Sequence, residues 1–219
     1  MEKIITFLVV LVGWIFSLCL HEFSHSVVAY YGGDTSVKDK GYLTFNPLKY
    51  THPVYSILLP VLFLLLGGIG LPGGAVYIET WRLRSKRWES AVSLAGPASN
   101  LVLAVILSII LNILPVSSTG VWPGLAFLAL LQVMGAVLNL LPFPPFDGYR
   151  ALAPFLNRQL RFNIDQYSTV IMMLVFVALW YVPFINNILW SVVGWISVRL
   201  QIPLQLSLLG WSQFQFWRR

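Results

Sequence analysis

Four long charge-free intervals constrain this chain more than any other feature. Residues 4–20, 54–78, 90–146 and 166–198 carry no Asp, Glu, Lys or Arg. The whole chain is 58% hydrophobic and 10% charged, against about 25% charged for a typical soluble domain. A large core does not account for that shortfall at 219 residues. The single cysteine excludes an internal disulfide scaffold. The net charge of +6 would suggest nucleic acid in a polar protein. Here the basic residues flank apolar runs, so the expected contact is a lipid bilayer and no nucleic acid. The composition defines an integral membrane protein, all-α and polytopic.

A span needs roughly 20 apolar residues to cross about 30 Å of hydrocarbon. Spans are expected near 4–30, 91–114 and 122–141, with 114–120 as the turn between the last two. The 54–78 interval is broken by Pro60, Gly67, Gly68, Gly70, Pro72, Gly73 and Gly74. That favours a bent re-entrant segment shielded by protein. Pro183 and Asn186-Asn187 divide 166–198 into two short halves, suited to a tight hairpin or a tilted pair. Residues 200–219, with interspersed Gln and a terminal Arg pair, suit a membrane-surface segment. Trp180, Trp190, Trp211 and Trp217 read as interfacial anchors. The expectation is one domain over 1–219, with a core at 4–150 and a C-terminal hairpin and interfacial segment at 166–219. It comprises about five to six transmembrane or re-entrant helices, with a short extended segment near the active site. Lys3 resembles the basic start of a signal peptide, but no small-residue cleavage site follows, so the first helix is read as retained.

Basic residues collect at Lys38, Lys40 and Lys49, at Arg82, Arg84, Lys86 and Arg87, and at Arg150, Arg158 and Arg161. If 54–78 re-enters, all three clusters share one face and the uncharged turn lies opposite. The positive-inside rule then places them in the cytoplasm of a multi-pass cell-membrane protein.

Ionisable residues at membrane depth are costly and are functional candidates by default. The first apolar run leads into His21-Glu22-Phe23-Ser24-His25, an HExxH pattern. On a helix the two imidazoles share one face and reach one metal, while Glu22, rotated by about 100°, lies beside it. There it is placed to take a proton from water activated by the metal. The structural alternative is a pair of histidines satisfied by backbone or a neighbouring helix. A catalytic zinc needs a third protein ligand, and Asp147, Glu89 and His52 are the candidates. Asp147 follows a proline-rich stretch that ends the helix at membrane depth, and Gly148 permits a turn that aims the carboxylate inward. Glu89 fits a solvated basic loop and His52 an interfacial turn. Cys19 is assigned no role.

With these residues in place, the chain resembles the site-2 protease family of intramembrane zinc metalloproteases, in its compact form without accessory soluble domains. His21–His25 is similar to the family's HExxH, and residues 139–148 to its NxxPxxxxDG segment. Residues 94–100 resemble its AGPxxN helix start, and 41–48 the G-x-L-T-x-N-P-L stretch of the compact group. The resemblance implies that His21, His25 and Asp147 ligate Zn2+ and that Glu22 activates the attacking water. It implies also that Asn139 helps hold the substrate strand or the developing oxyanion. Tyr50-Thr51-His52-Pro53, residues 71–75 and Phe146 depart from the family pattern. Those departures bear on substrate handling, not on the metal ligands.

The function these readings favour is a metalloendopeptidase acting on membrane-protein or peptide substrates in or near a transmembrane segment. A transmembrane helix must unwind to expose a peptide bond. Residues 67–75 and 142–146, non-helical at membrane depth, are expected to hold the unwound strand by edge pairing. The alternative is a zinc-binding membrane protein without proteolysis, a transporter or a helix-capturing regulator. Glu22 weighs against it, because a pure binding site needs no base there.

Overall fold

The computed structural model describes residues 1–46, 49 and 76–215. His52, residues 67–75 and all but the last three residues of 54–78 lie outside that description. Among the described residues the regular structure is helical: α1 (Glu2–Gly32), α2 (Ser36–Asp39), α3 (Lys86–Ile113), α4 (Trp122–Asn139), α5 (Asp147–Leu152), α6 (Arg158–Gln166), α7 (Ser168–Tyr181), α8 (Pro183–Arg199) and α9 (Leu204–Phe214). Three of them, α1, α3 and α4, are long and apolar enough to cross a membrane, and a fourth span results if α6 and α7, bent by 66°, count together. These match the spans expected near 4–30, 91–114 and 122–141.

Helical periodicity explains how α1 divides its faces. Ile4, Leu8, Val12 and Phe16 recur every four residues and are exposed, as a lipid-facing stripe requires. Val10, Trp14, Ser17, Leu18 and His21 lie on the opposite side and are buried. Helix α4 is the most enclosed of the spans and supplies much of the apolar core, including Phe127, Leu131, Val133 and Leu138. The Ser85 hydroxyl caps α3 by accepting from the Trp88 N–H, and Pro123 occupies the first turn of α4, where no intrahelical donor is needed.

Helices α1 and α3 run antiparallel. The Arg84 N–H donates to the Gly32 carbonyl at 2.9 Å, joining the end of α1 to the entry of α3. At the other end the Glu2 carboxylate accepts from the Gly120 N–H in the turn before α4. All the described basic clusters therefore share one end of the bundle, opposite the uncharged turn. The flanks of the 47–75 stretch meet at that same end: Lys40 Nζ donates to the Tyr77 carbonyl at 3.1 Å and to Glu79 at 2.8 Å.

Pro183 separates α7 from α8, as its position in the sequence requires. Helix α9 packs at the end away from the basic clusters. Ser207 donates to the Ala126 carbonyl at 2.9 Å, Thr6 donates to Gln213 at 2.6 Å, and Phe214 stacks on Phe7. Eleven residues are too few for a span. The segment is thus more firmly tied to α1 and α4 than a purely surface-lying helix.

Candidate metal centre

The site is built where α1, α3 and the connection after α4 converge. His21, Glu22 and His25 sit in the C-terminal half of α1 and are all buried. His21 Nε2 and His25 Nε2 are 3.0 Å apart. Asp147 Oδ2, from a residue 126 positions beyond His21, lies 3.1 Å from His21 Nε2 and 3.5 Å from His25 Nε2. Of the three candidates for a further ligand, the structure brings Asp147 to the histidines.

The tautomer of His25 follows from its other nitrogen. Nδ1 is 2.6 Å from the Val92 carbonyl, which only accepts, so Nδ1 donates and Nε2 presents its lone pair to the centre. Two imidazole Nε2 atoms and a carboxylate oxygen thus face one another at a spacing that suits a shared cation. Ligands about 2.0–2.1 Å from a tetrahedral zinc stand roughly 3.3 Å apart, which the observed separations bracket. Gly96 on α3 keeps this side of the centre open, because a Cβ there would overlap Nε2 of both histidines. Donor chemistry, spacing and the bare glycine together fit a resident metal.

Asp147 is buried in the first turn of α5. Its placement corrects the role expected for Gly148. That glycine is helical, in the first turn of α5, and does not make a sharp turn. Its hydrogen is needed because a Cβ would collide with the Leu140 and Leu141 carbonyls. Close backbone contact, not unusual φ, is what positions Asp147.

The donor atoms of His21, Glu22 and His25 lie within 4.8 Å of one another. Glu22 Oε2 also accepts from the Val76 N–H at 3.0 Å. Residues 76–79 are non-helical, and Val76 lies beside the centre. A buried Asp34 holds them: it accepts from the Ser36 N–H, the Ser36 hydroxyl and the Glu79 N–H, the last at 2.7 Å. The only local signal for Asp34 was the Asp-x-Ser turn pattern. Glu79 in turn binds Lys40 and Arg82, and those hydrogen bonds lower its pKa to about 2.

A cavity of about 470 Å3 leads to the centre, lined by His25, Val76, Pro144, Pro145 and Asp147. Arg161 lies at its rim, 3.1 Å from Glu89 and 3.7 Å from Asp165, and the Tyr149 hydroxyl donates to Asp165 at 2.7 Å. Burial and the adjacent Asp165 push the Tyr149 pKa up to about 12. Glu89 is therefore an ion-pair partner in the first turn of α3, not a residue of a solvated loop. Asn139 is buried at the end of α4, and its Nδ2 donates to the Gly135 carbonyl at 3.1 Å.

Fold and site define a membrane-embedded metalloprotein with an HExxH helix and a distant carboxylate. Comparison with known proteins narrows that class. The chain is 45% identical over 215 residues to the candidate zinc metalloprotease Rip2 of Mycolicibacterium smegmatis, covering 96% of this chain and 81% of the relative. It is 42% identical over 216 residues to the Rip2 of Mycobacterium tuberculosis (strain H37Rv), with the same coverage. It is 32% identical over 192 residues to the candidate zinc metalloprotease YwhC of Bacillus subtilis, covering 82% and 83%. No family model matches the chain and no solved structure matches it. The chain belongs to the site-2 protease family of zinc metalloproteases.

Proposed function

We propose that this protein is an intramembrane metalloendopeptidase in which His21, His25 and Asp147 hold zinc and Glu22 is the general base. The observation that carries this reading is the convergence of Asp147 Oδ2 on both Nε2 atoms from across the sequence. Zinc bound there supplies a Lewis acid that polarises a carbonyl and acidifies water. Glu22 takes one proton from the attacking water and delivers it to the leaving amide nitrogen as the peptide C–N bond breaks. The Val76 N–H keeps its carboxylate turned toward that position. Residues 76–78 and Pro144-Pro145 all line the cavity. A substrate strand unwound from a transmembrane helix lies between them, with Asn139 contributing at the back of the site. The basic end of the bundle faces the cytoplasm of the cell membrane, so the cavity opens to that side.

The test is cleavage of a membrane-embedded model substrate by purified protein. Glu22→Gln is expected to keep one zinc per chain and lose at least about 100-fold in rate, the usual share of a general base. Undiminished cleavage by Glu22→Gln would remove Glu22 from the mechanism.

A further inference from the structure

His25 is oriented by the Val92 carbonyl. Metal-ligating histidines almost always donate their second ring N–H to some acceptor. Among the described residues the side-chain hydrogen bonds of His21 run through Nε2, which faces Asp147 and His25. The same histidine lines a second, small cavity between α1, α3 and α4, with Trp14, Ser17, Asn100, Gly135 and Asn139. Its volume is about 10 Å3, room for the centre of one water.

Two of the lining groups are orphaned. Trp14 is 3% exposed and Asn100 7%, and neither Trp14 Nε1 nor Asn100 Oδ1 has a hydrogen-bond partner among the described residues. One is a donor and the other an acceptor, and burial leaves each without bulk water to replace the missing partner. The other polar neighbours are partly committed: the Ser17 hydroxyl donates to the Trp14 carbonyl, and Asn139 Nδ2 to Gly135. Gly135 leaves the space open, since a Cβ there would stand 3.2 Å from Asn100 Nδ2 and 3.9 Å from the Trp14 ring.

We propose that this cavity holds one water that fixes the His21 imidazole, with Trp14 and Asn100 as positioning residues. The water accepts from Trp14 Nε1–H and His21 Nδ1–H and donates to the side-chain oxygens of Asn100 and Asn139. All four of its bonds are then made, and His21 gains the orienting acceptor that Val92 gives His25. The inference rests on the proposed ligand role of His21.

The experiment uses the full-length, zinc-loaded protein with 15N-labelled histidine, which is tractable because the chain has three His. Wild-type His21 Nδ1–H is expected to receive magnetisation from a slowly exchanging water, while His25 Nδ1–H does not. In chelator competition, Trp14→Phe and Asn100→Leu are each expected to weaken zinc binding about 10- to 100-fold, as loss of a ligand-orienting group does. If one water serves both, the double variant is no weaker than the weaker single one. Multiplying effects in the double variant, unchanged zinc affinity, or a zinc-bound wild type without the water signal each overturns the inference alone. A wild type that holds no zinc overturns the metal-centre reading as well. The wild-type measurement stands even if a variant fails to fold.

Discussion

Gly96 makes the sharpest case at the scale of single residues, because its missing side chain leaves room beside Nε2 of both His21 and His25. Gly96→Ala is expected to lower zinc affinity by about 10-fold or more, within the range that disturbed ligand orientation produces. Equilibrium dialysis against a chelator measures this, and wild-type affinity in the variant would show that α3 tolerates the methyl. Much of the centre was readable from the residues alone. His21, Glu22, His25 and Asp147 stand out because each charge or imidazole interrupts an apolar run. Gly96 was visible only as part of a family motif, since a glycine in a helix does not announce what it faces. The Val76 N–H on Glu22 was not readable, because a main-chain donor leaves no trace in residue type.

Among the elements, α5 and the 76–79 segment depend most on particular backbone contacts. Gly148→Ala forces a Cβ against the Leu140 and Leu141 carbonyls. It is expected to destabilise the fold by about 1–3 kcal/mol, the range for overpacking, measured as a lowered unfolding midpoint in detergent. An unchanged midpoint would mean that α5 moves away at little cost. Residues 76–79 are tied down by Asp34 and by Glu79 with its two cations. Glu79 has a folded pKa near 2, lowered from 4.5. Its contribution is therefore complete above pH 4.5 and is lost as pH falls through about 2. Hydrogen-exchange protection of residues 76–82 is expected to decline across that window in the wild type, and Glu79→Gln should remove this component of the decline. An identical pH dependence in both would assign the change elsewhere. The long helices were legible because uninterrupted apolar length dictates them. The tie between Asp34 and Glu79 was not, because it joins positions 45 residues apart through one main-chain N–H.

For the molecule as a whole, the distribution of charge predicts a sidedness. Lys38, Lys40, residues 82–87, Arg150, Arg158 and Arg161 share one end, and the 114–121 turn has no charge. In intact cells, Thr119→Cys is expected to react with an impermeant thiol reagent and Arg158→Cys is not. The native Cys19 is buried and gives little background. The reverse pattern would invert the orientation. The packing of α9 onto α1 and α4 was hard to foresee, since Ser207, Gly210 and Phe214 resemble an ordinary interfacial segment until their partners are known. The account is tested most directly by zinc content per chain, measured by elemental mass spectrometry on purified wild type, His21→Ala, Asp147→Ala and His52→Ala. One zinc is expected in the wild type and in His52→Ala, and much less than one in His21→Ala and Asp147→Ala. A full zinc complement in Asp147→Ala would contradict the three-ligand centre on which the protease assignment stands.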